Sequence, residues 1–359
     1  MPLFTQQILL IATRQIGDVL LTTPLLRSLR QAYPDAVIDL LVFAGTEGIL
    51  AGNSDCSEIY TIPQHSSLPQ QWNLIKKIFF RYDLAISTQS SDKALFYAYL
   101  AARHRVAIVP TWSYRSVWKY WITTAHTVLD DDNTHTVTQN LRLAELLKIP
   151  LQYQIVNPCL VADEAILTRL SPFDWKQQDY VVFHLVPLRH YKRWTMTGWQ
   201  QLANYFNNQG IRVILTGSGN TEEMRYIDTA MQGMPDNILN LAGKLSLSAV
   251  ATLIRQAKLY VGVDTVVTHL AAATGTLTVA LFGPTNPVKW SPFPCGYTKN
   301  IPPFQRVGTQ RVGNVILIQG AGECVPCHQE GCDRHRNSFS QCLENLSSQT
   351  VVNAINSMG

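Results

Sequence analysis

Long apolar runs are missing from this 359-residue chain. None approaches the roughly 18–20 residues that span a bilayer, so no transmembrane helix is expected. Charge is scarce too: Asp, Glu, Lys and Arg make up 15% of residues against 46% hydrophobic ones. That balance excludes a disordered or coiled-coil chain and favours a well-buried α/β protein. The net charge of +4 is too weak an excess to argue for a nucleic-acid partner. It suits an anionic substrate or an anionic membrane surface. The opening stretch Met1–Thr13 has neither a basic n-region nor a small-residue cleavage site. No secretory signal is therefore expected, and the chain is placed in the cytoplasm. Its seven cysteines then read mostly as thiols rather than as a disulfide framework. Neither a G-x-G-x-x-G fingerprint nor a Walker loop occurs. No Asp-x-Asp pair stands at a predicted strand end to hold a metal, and Asp130-Asp131-Asp132 reads as a solvated turn.

Short apolar runs alternate with amphipathic stretches in both halves, the pattern of βαβ units and parallel sheets. Strands are predicted at Ile8–Thr13, Val37–Val42, Asp83–Ser87 and Arg105–Val109, with helices near 19–32, 68–80, 91–102 and 134–148. Prolines 150, 158 and 172 loosen the pattern. It restarts with strands Tyr180–Leu185, Arg212–Thr216, Leu259–Val263 and Thr278–Phe282, and helices near 197–208, 221–232, 246–257 and 265–274. Residues 284–345 read as irregular, and a last helix is expected at 348–358, capped by Ser347 or Ser348. The division predicted is 1–170, 171–345 and a C-terminal helix in 346–359 that packs back on the first domain. The architecture is two Rossmann-like domains whose parallel sheets face a central cleft.

Five strand ends carry candidate chemistry, and ligands of open α/β sheets bind at such ends. The first strand runs into Arg14-Gln15-Ile16-Gly17-Asp18. Gly17 allows a tight turn. Asp18 at the helix start is either an N-cap or a base facing the cleft. The strand from Tyr180 leads into Arg189-His190-Tyr191-Lys192-Arg193, a cationic loop suited to a diphosphate and otherwise a solvated charge run. The strand from Leu259 leads into Asp264-Thr265 and a helix whose free N–H groups form a ready anion site. His269 lies one turn inside that helix, where a histidine is more often a structural or supporting residue than a ligand contact, and the next strand ends in Phe282-Gly283-Pro284-Thr285. A glycine-rich loop, Gly217-Ser218-Gly219, precedes the acidic helix start Glu222-Glu223. An acid there either bonds ribose hydroxyls or complements the helix dipole.

Together these motifs resemble glycosyltransferase family 9, the ADP-heptose lipopolysaccharide heptosyltransferases. The resemblance covers nearly the whole chain. It rests on Gly17–Pro24, Lys192-Arg193-Trp194, Gly262–Thr265 with His269, and Leu281–Thr285. Leu41–Thr46 and the late cysteine-rich segment look most like the heptosyltransferase III branch. What the resemblance implies is a GT-B fold and an inverting, metal-independent transfer of heptose from ADP-heptose to the inner core of lipopolysaccharide, with no required cofactor. By matching position, Asp18 would be the base, Lys192 would neutralise the diphosphate and Glu222 would hold the ribose. Asp264 and Thr265 would line the donor sugar and phosphate site, with His269, Gly283 and Thr285 beside them. Where many members carry a small residue after the Asp-Thr pair, this chain has Val266, which narrows the approach of the sugar. The acceptor implied is a lipid A-core oligosaccharide, placing the protein peripherally on the cytoplasmic face of the inner membrane. A nucleotide-sugar epimerase of GT-B fold and a non-catalytic nucleotide-sugar binding protein are the alternatives.

Two segments remain. Cys324, Cys327, Cys332 and Cys342 form C-x₂-C-x₄-C-x₉-C. Four soft ligands could hold a structural zinc, but the spacing is not that of a standard finger, and reduced surface thiols or an adventitious disulfide are favoured over it. Arg103, Arg105, Arg115 and Lys119, interleaved with Trp112, Tyr114, Trp118 and Trp121, read as an acceptor or membrane surface. Partial core packing is the competing reading, favoured for Trp118 and Trp121.

Overall fold

Six-residue Gln7–Ala12 is almost wholly apolar and, from Ile8 on, wholly buried, as a strand covered on both sheet faces must be. In the computed structural model, which describes residues 5–65 and 67–357 (Leu68 without its side chain), it is strand β1 at the centre of the first of two units. That unit comprises Met1–Pro158 and Thr298–Ile301. Its elements run β1, α1 (Ile16–Leu20), α2 (Thr23–Ala32), β2 (Val37–Phe43), β3 (Ile59–Ile62), α3 (Leu68–Ile78), β4 (Tyr82–Ser87), α4 (Asp92–Ala101), β5 (Ala102–Val109), α5 (Val117–Ile122), β6 (Ala125–Val128) and α6 (Thr136–Leu147). The sheet order β3-β2-β1-β4-β5-β6 is parallel throughout. Strand order reverses beside β1, so the turn from β1 into α1, the helix that carries Asp18, opens at the switch point.

The helix expected over 19–32 is two helices. Pro24 has no N–H for the Leu20 carbonyl and would clash with it, so α1 stops there. The Thr23 hydroxyl takes up that carbonyl at 2.8 Å, and Thr22 Oγ1 donates to the Asp18 carbonyl at 2.9 Å. Asn140 Nδ2 on α6 donates to Leu21 O at 3.0 Å and fixes the break.

The second unit comprises Cys159–Tyr297 and Pro302–Gly359. The expected boundary after residue 170 lies after Pro158 instead. Helix α7 (Asp163–Leu170) belongs here because Leu167 is buried with Trp175, Tyr180 and Leu253, and the Ser248 hydroxyl donates to Asp163 Oδ1 at 3.0 Å. There follow β7 (Tyr180–His184), α8 (Met196–Asn208), β8 (Arg212–Thr216), α9 (Thr221–Met231), β9 (Leu239–Asn240), α10 (Leu247–Gln256), β10 (Leu259–Val263), α11 (Val266–Thr274), β11 (Thr278–Phe282), α12 (Pro287–Trp290), β12 (Gln310–Val312), β13 (Val315–Gln319), α13 (Gln341–Glu344) and α14 (Ser348–Asn356). The sheet order is β12-β13-β11-β10-β7-β8-β9, parallel except for the β12–β13 hairpin.

Segment 284–345 is thus not wholly irregular: it contributes β13, buried along its whole length beside β11. Ser347 caps α14, accepting the Thr350 N–H at 3.1 Å. That helix packs on α8 and β13 of its own unit. Its expected last residue, Met358, lies outside the described residues.

Candidate active site

Strands β11, β10 and β7 are neighbours, so the loops that follow them gather Thr285, Asp264 and Lys192. Lys192 Nζ lies 2.5 Å from Asp264 Oδ2, and the two side chains are 23% and 8% exposed. Burial works against the Asp264 charge. The Lys192 ammonium, by charge and hydrogen bond, and the Thr285 hydroxyl outweigh it and hold the carboxyl below the usual range. His269 is buried alongside. Burial pushes its imidazole down to about 4, against the pull of Asp264, so it is neutral at physiological pH. Its Nδ1 is buried without a hydrogen-bond partner. Helix α11 begins here: Thr265 is its N-cap, its hydroxyl does not cap it, and Val266 is the first helical residue. Val266 and Val267 pack into the core below.

Glu222 stands apart from this group. Its Oε1 accepts from Arg193 Nη2 at 2.7 Å and lies 2.5 Å from His190 Nε2. The Arg193 hydrogen bond, opposed by slight desolvation and helped by His190, holds its carboxyl below the usual value. Its neighbour Glu223 braces the glycine loop: Oε1 accepts the Ser218 N–H at 3.0 Å, and the Ser218 hydroxyl bonds Oε2. A side chain at Gly217 would meet Glu223 Oε1 at 2.6 Å, so this glycine is required by the brace itself.

The late cysteine-rich segment holds the site from behind. Ser340 Oγ donates to Tyr191 O at 2.6 Å and Trp194 Nε1 donates to Leu346 O at 2.7 Å, anchoring both sides of Lys192. The His328 N–H donates to Pro284 O at 3.0 Å. Gly283, expected at the donor, faces this support: a Cβ there would lie 2.7 Å from Leu343 Cδ1. Burial pushes the Cys342 thiol up to about 11, helped by nearby Cys327 and Cys332. Among the described residues, no three His, Cys, Asp or Glu side chains are grouped to hold a metal ion.

In the first unit Asp18 is 9% exposed. It is not the N-cap of α1. Gln15 takes that place, and Asp18 is the third helical residue. Arg14 Nη1 lies 3.6 Å from Asp18 Oδ1. The sequence reading missed this partner, although the i,i+4 spacing signals it.

The expected basic surface divides. Arg103 and Arg115 are exposed, and Trp121 is 79% exposed, against its expected core packing. Lys119 is not on the surface. It is buried, donating to Ser90 O at 2.7 Å and pairing Asp92 Oδ1 at 2.6 Å, because an amine under α4 needs both a carbonyl and a counter-charge. Arg105 is half-buried and bonded to the carbonyls of Ile122 and Ala102. No helix of the described residues is long and apolar enough to cross a membrane.

Two Rossmann-like units, one with a buried acid at its switch point and one with a cation–acid–hydroxyl group beside a helix start, define a GT-B glycosyltransferase. Comparison with known proteins agrees. The model of glycosyltransferase family 9 (heptosyltransferase) matches residues 71–306. Lipopolysaccharide heptosyltransferase 3 of Escherichia coli K12 is 30% identical over 301 residues, covering 81% of this chain and 85% of its own. Among solved structures, the glycosyltransferase family 9 protein of Veillonella parvula superposes with a TM-score of 0.79 at 16% identity, covering 100% of this chain and 98% of its own. Escherichia coli heptosyltransferase WaaC with ADP gives 0.72 at 20% identity, covering 99% and 100%. The chain belongs to glycosyltransferase family 9, the heptosyltransferases, and the similarity to the heptosyltransferase III branch holds.

Proposed function

We propose that this enzyme moves L-glycero-D-manno-heptose from ADP-heptose to the inner core of lipopolysaccharide, by an inverting, metal-independent displacement of heptosyltransferase III type. The observation that carries the reading is the Lys192–Asp264–Thr285 group at three neighbouring strand ends, beside the start of α11. A diphosphate needs a cation and free N–H groups at such a place. The name of the K12 relative and the ADP in the WaaC structure support the sugar and the nucleotide.

In this reading Asp18 takes the proton of the acceptor hydroxyl as its oxygen bonds the anomeric carbon. The bond from that carbon to the phosphate oxygen breaks, and its electron pair leaves with ADP. Lys192 meets the charge developing on the diphosphate, Asp264 orients Lys192, and Glu222 in its Arg193–His190 pair is placed for the ribose. Thr265, His269 and Thr285 complete the donor site, while Gly283 keeps the Thr285 turn close against Leu343. The acceptor is a lipid-linked core oligosaccharide, met from the cytoplasmic side of the inner membrane, with exposed Arg103 and Arg115 offered to its phosphates.

The test separates binding from chemistry. Asp18→Ala should bind ADP within about twofold of wild type by calorimetry while losing roughly 10²–10⁴-fold in transfer. Turnover at the wild-type rate would remove Asp18 from the mechanism. Retention of anomeric configuration, read by proton NMR, would overturn single displacement.

A further inference from the structure

Beyond exposed Asp92 in its first turn, the outer face of α4 is apolar where a surface helix is normally polar. Ala94, Leu95, Tyr97, Ala98 and Ala101 are buried beneath it, yet the outward positions Phe96 and Tyr99 are 50% and 46% exposed. The face continues on both sides. The Phe80 N–H donates to Leu100 O at 2.8 Å, which seats Phe79 and Phe80 against the end of α4. These two rings stack edge to face at 4.9 Å and are 56% and 50% exposed. On the other side the Arg105 guanidinium lies 5.2 Å from the Tyr99 ring centre and bonds the carbonyl of Ile122, the residue that follows exposed Trp121 of α5. Five exposed aromatics thus lie on α4 and on the ends of α3 and α5 packed beside it, more than the singly scattered apolar residues of an ordinary surface.

Its surroundings are cationic. Residues 68–124 hold eight Lys and Arg against Asp83 and Asp92, an excess of six where the whole chain has an excess of four. Asp92 is engaged with Lys119, and Asp83 accepts the backbone amides of Gln6 and Gln7. Asp92 is exposed but offset by Lys119, so the net charge beside the aromatics is positive, with Lys76 and Arg103 exposed. A second copy of this chain meeting the patch two-fold would oppose cation to cation. A bilayer interface with anionic headgroups matches both components, since aromatics seat at the headgroup level and cations meet its negative potential.

We propose that the α3–α4–α5 face of the first unit docks on an anionic bilayer, with Phe79, Phe80, Phe96, Tyr99 and Trp121 inserted at headgroup depth. For its purpose this rests on the reading that the acceptor is lipid-borne, but docking and transfer are measured separately. The docking experiment is co-flotation with vesicles of phosphatidylethanolamine and phosphatidylglycerol, free of acceptor, beside phosphatidylcholine vesicles. Wild type should float with the anionic vesicles, weakening as salt rises well above about 0.1 M, where the screening length is near 10 Å. The triple variant Phe79→Ser, Phe96→Ser, Trp121→Ser should partition about a hundredfold less. Its transfer to a deacylated, water-soluble core acceptor should stay within twofold, which also reports the activity independently of docking. Vesicles with brominated chains should quench wild-type tryptophan fluorescence more than that of Trp121→Phe. Wild-type protein that does not float, a triple variant that floats equally, or equal quenching in Trp121→Phe would each overturn the proposal. So would a dimer, seen by sedimentation, that the triple substitution dissolves.

Discussion

Removing the Lys192 ammonium should do more than weaken the donor: it should strand Asp264. The carboxylate is 8% exposed and its strongest opposing influence is burial, so without the cation it is left largely uncompensated. Breaking a fully buried pair from one side costs about 3–5 kcal/mol. Lys192 itself is 23% exposed, which lets water relieve part of that, so roughly 2–3 kcal/mol is expected for Lys192→Ala. For a unit of this size that is a fall in Tm of about 4–12 °C. Adding Asp264→Asn should recover most of it, since the double variant buries no lone charge. The pH dependence carries a sign. In wild type the folded Asp264 sits below its unfolded value, so its contribution is present above about pH 4 and lost as pH falls through the folded value. In Lys192→Ala, burial dominates and raises the carboxyl. Stability then rises as pH falls from 6 toward 4, relative to wild type. Scanning calorimetry of the two single variants and the double, across that range, reads all of this. Equal Tm for Lys192→Ala and wild type, or parallel pH profiles, would refute the assignment of the pair as a buried, mutually dependent unit.

Two further outcomes follow from the second unit. Gly283→Ala should destabilise by about 1–3 kcal/mol through overpacking, because its Cβ would lie 2.7 Å from Leu343 Cδ1. Leu343→Ala in the same chain should relieve that clash, and an additive double variant in thermal melts would contradict it. Burial pushes both His184 and His269 down to about 4. Unfolded histidine takes a proton near 6.5, so the stability of the neutral buried form is full above that pH and is lost as pH falls toward 4. His269→Asn should flatten the pH 4–6.5 portion of the stability profile, and an unchanged slope in urea titrations would count against its burial as a neutral base.

The sheets were largely readable from the sequence because most strands are buried on both faces and therefore appear as unbroken apolar runs, as in Ile8–Ala12 and Tyr180–His184. The same signal was present in Val315–Ile318, but it lies among prolines, cysteines and histidines that pointed to irregular chain. Short edge strands such as Ile59–Ile62 give too few residues for a pattern. The site residues could be located at strand ends, yet not paired. Lys192 and Asp264 are 72 positions apart, and only the adjacency of β7 and β10 joins them. Charge also misled where it was locally unremarkable. Lys119 reads as one more cation among aromatics until Ser90, 29 positions away, and its neighbour Asp92 are folded against it.

The central claim is transfer of heptose from ADP-heptose, and mass spectrometry of the acceptor tests it directly. Incubation of the enzyme with ADP-heptose and heptose-deficient lipopolysaccharide core should add one heptose to the core and release one ADP. ADP release with an unchanged core mass, or an altered free sugar nucleotide and no ADP, would contradict it.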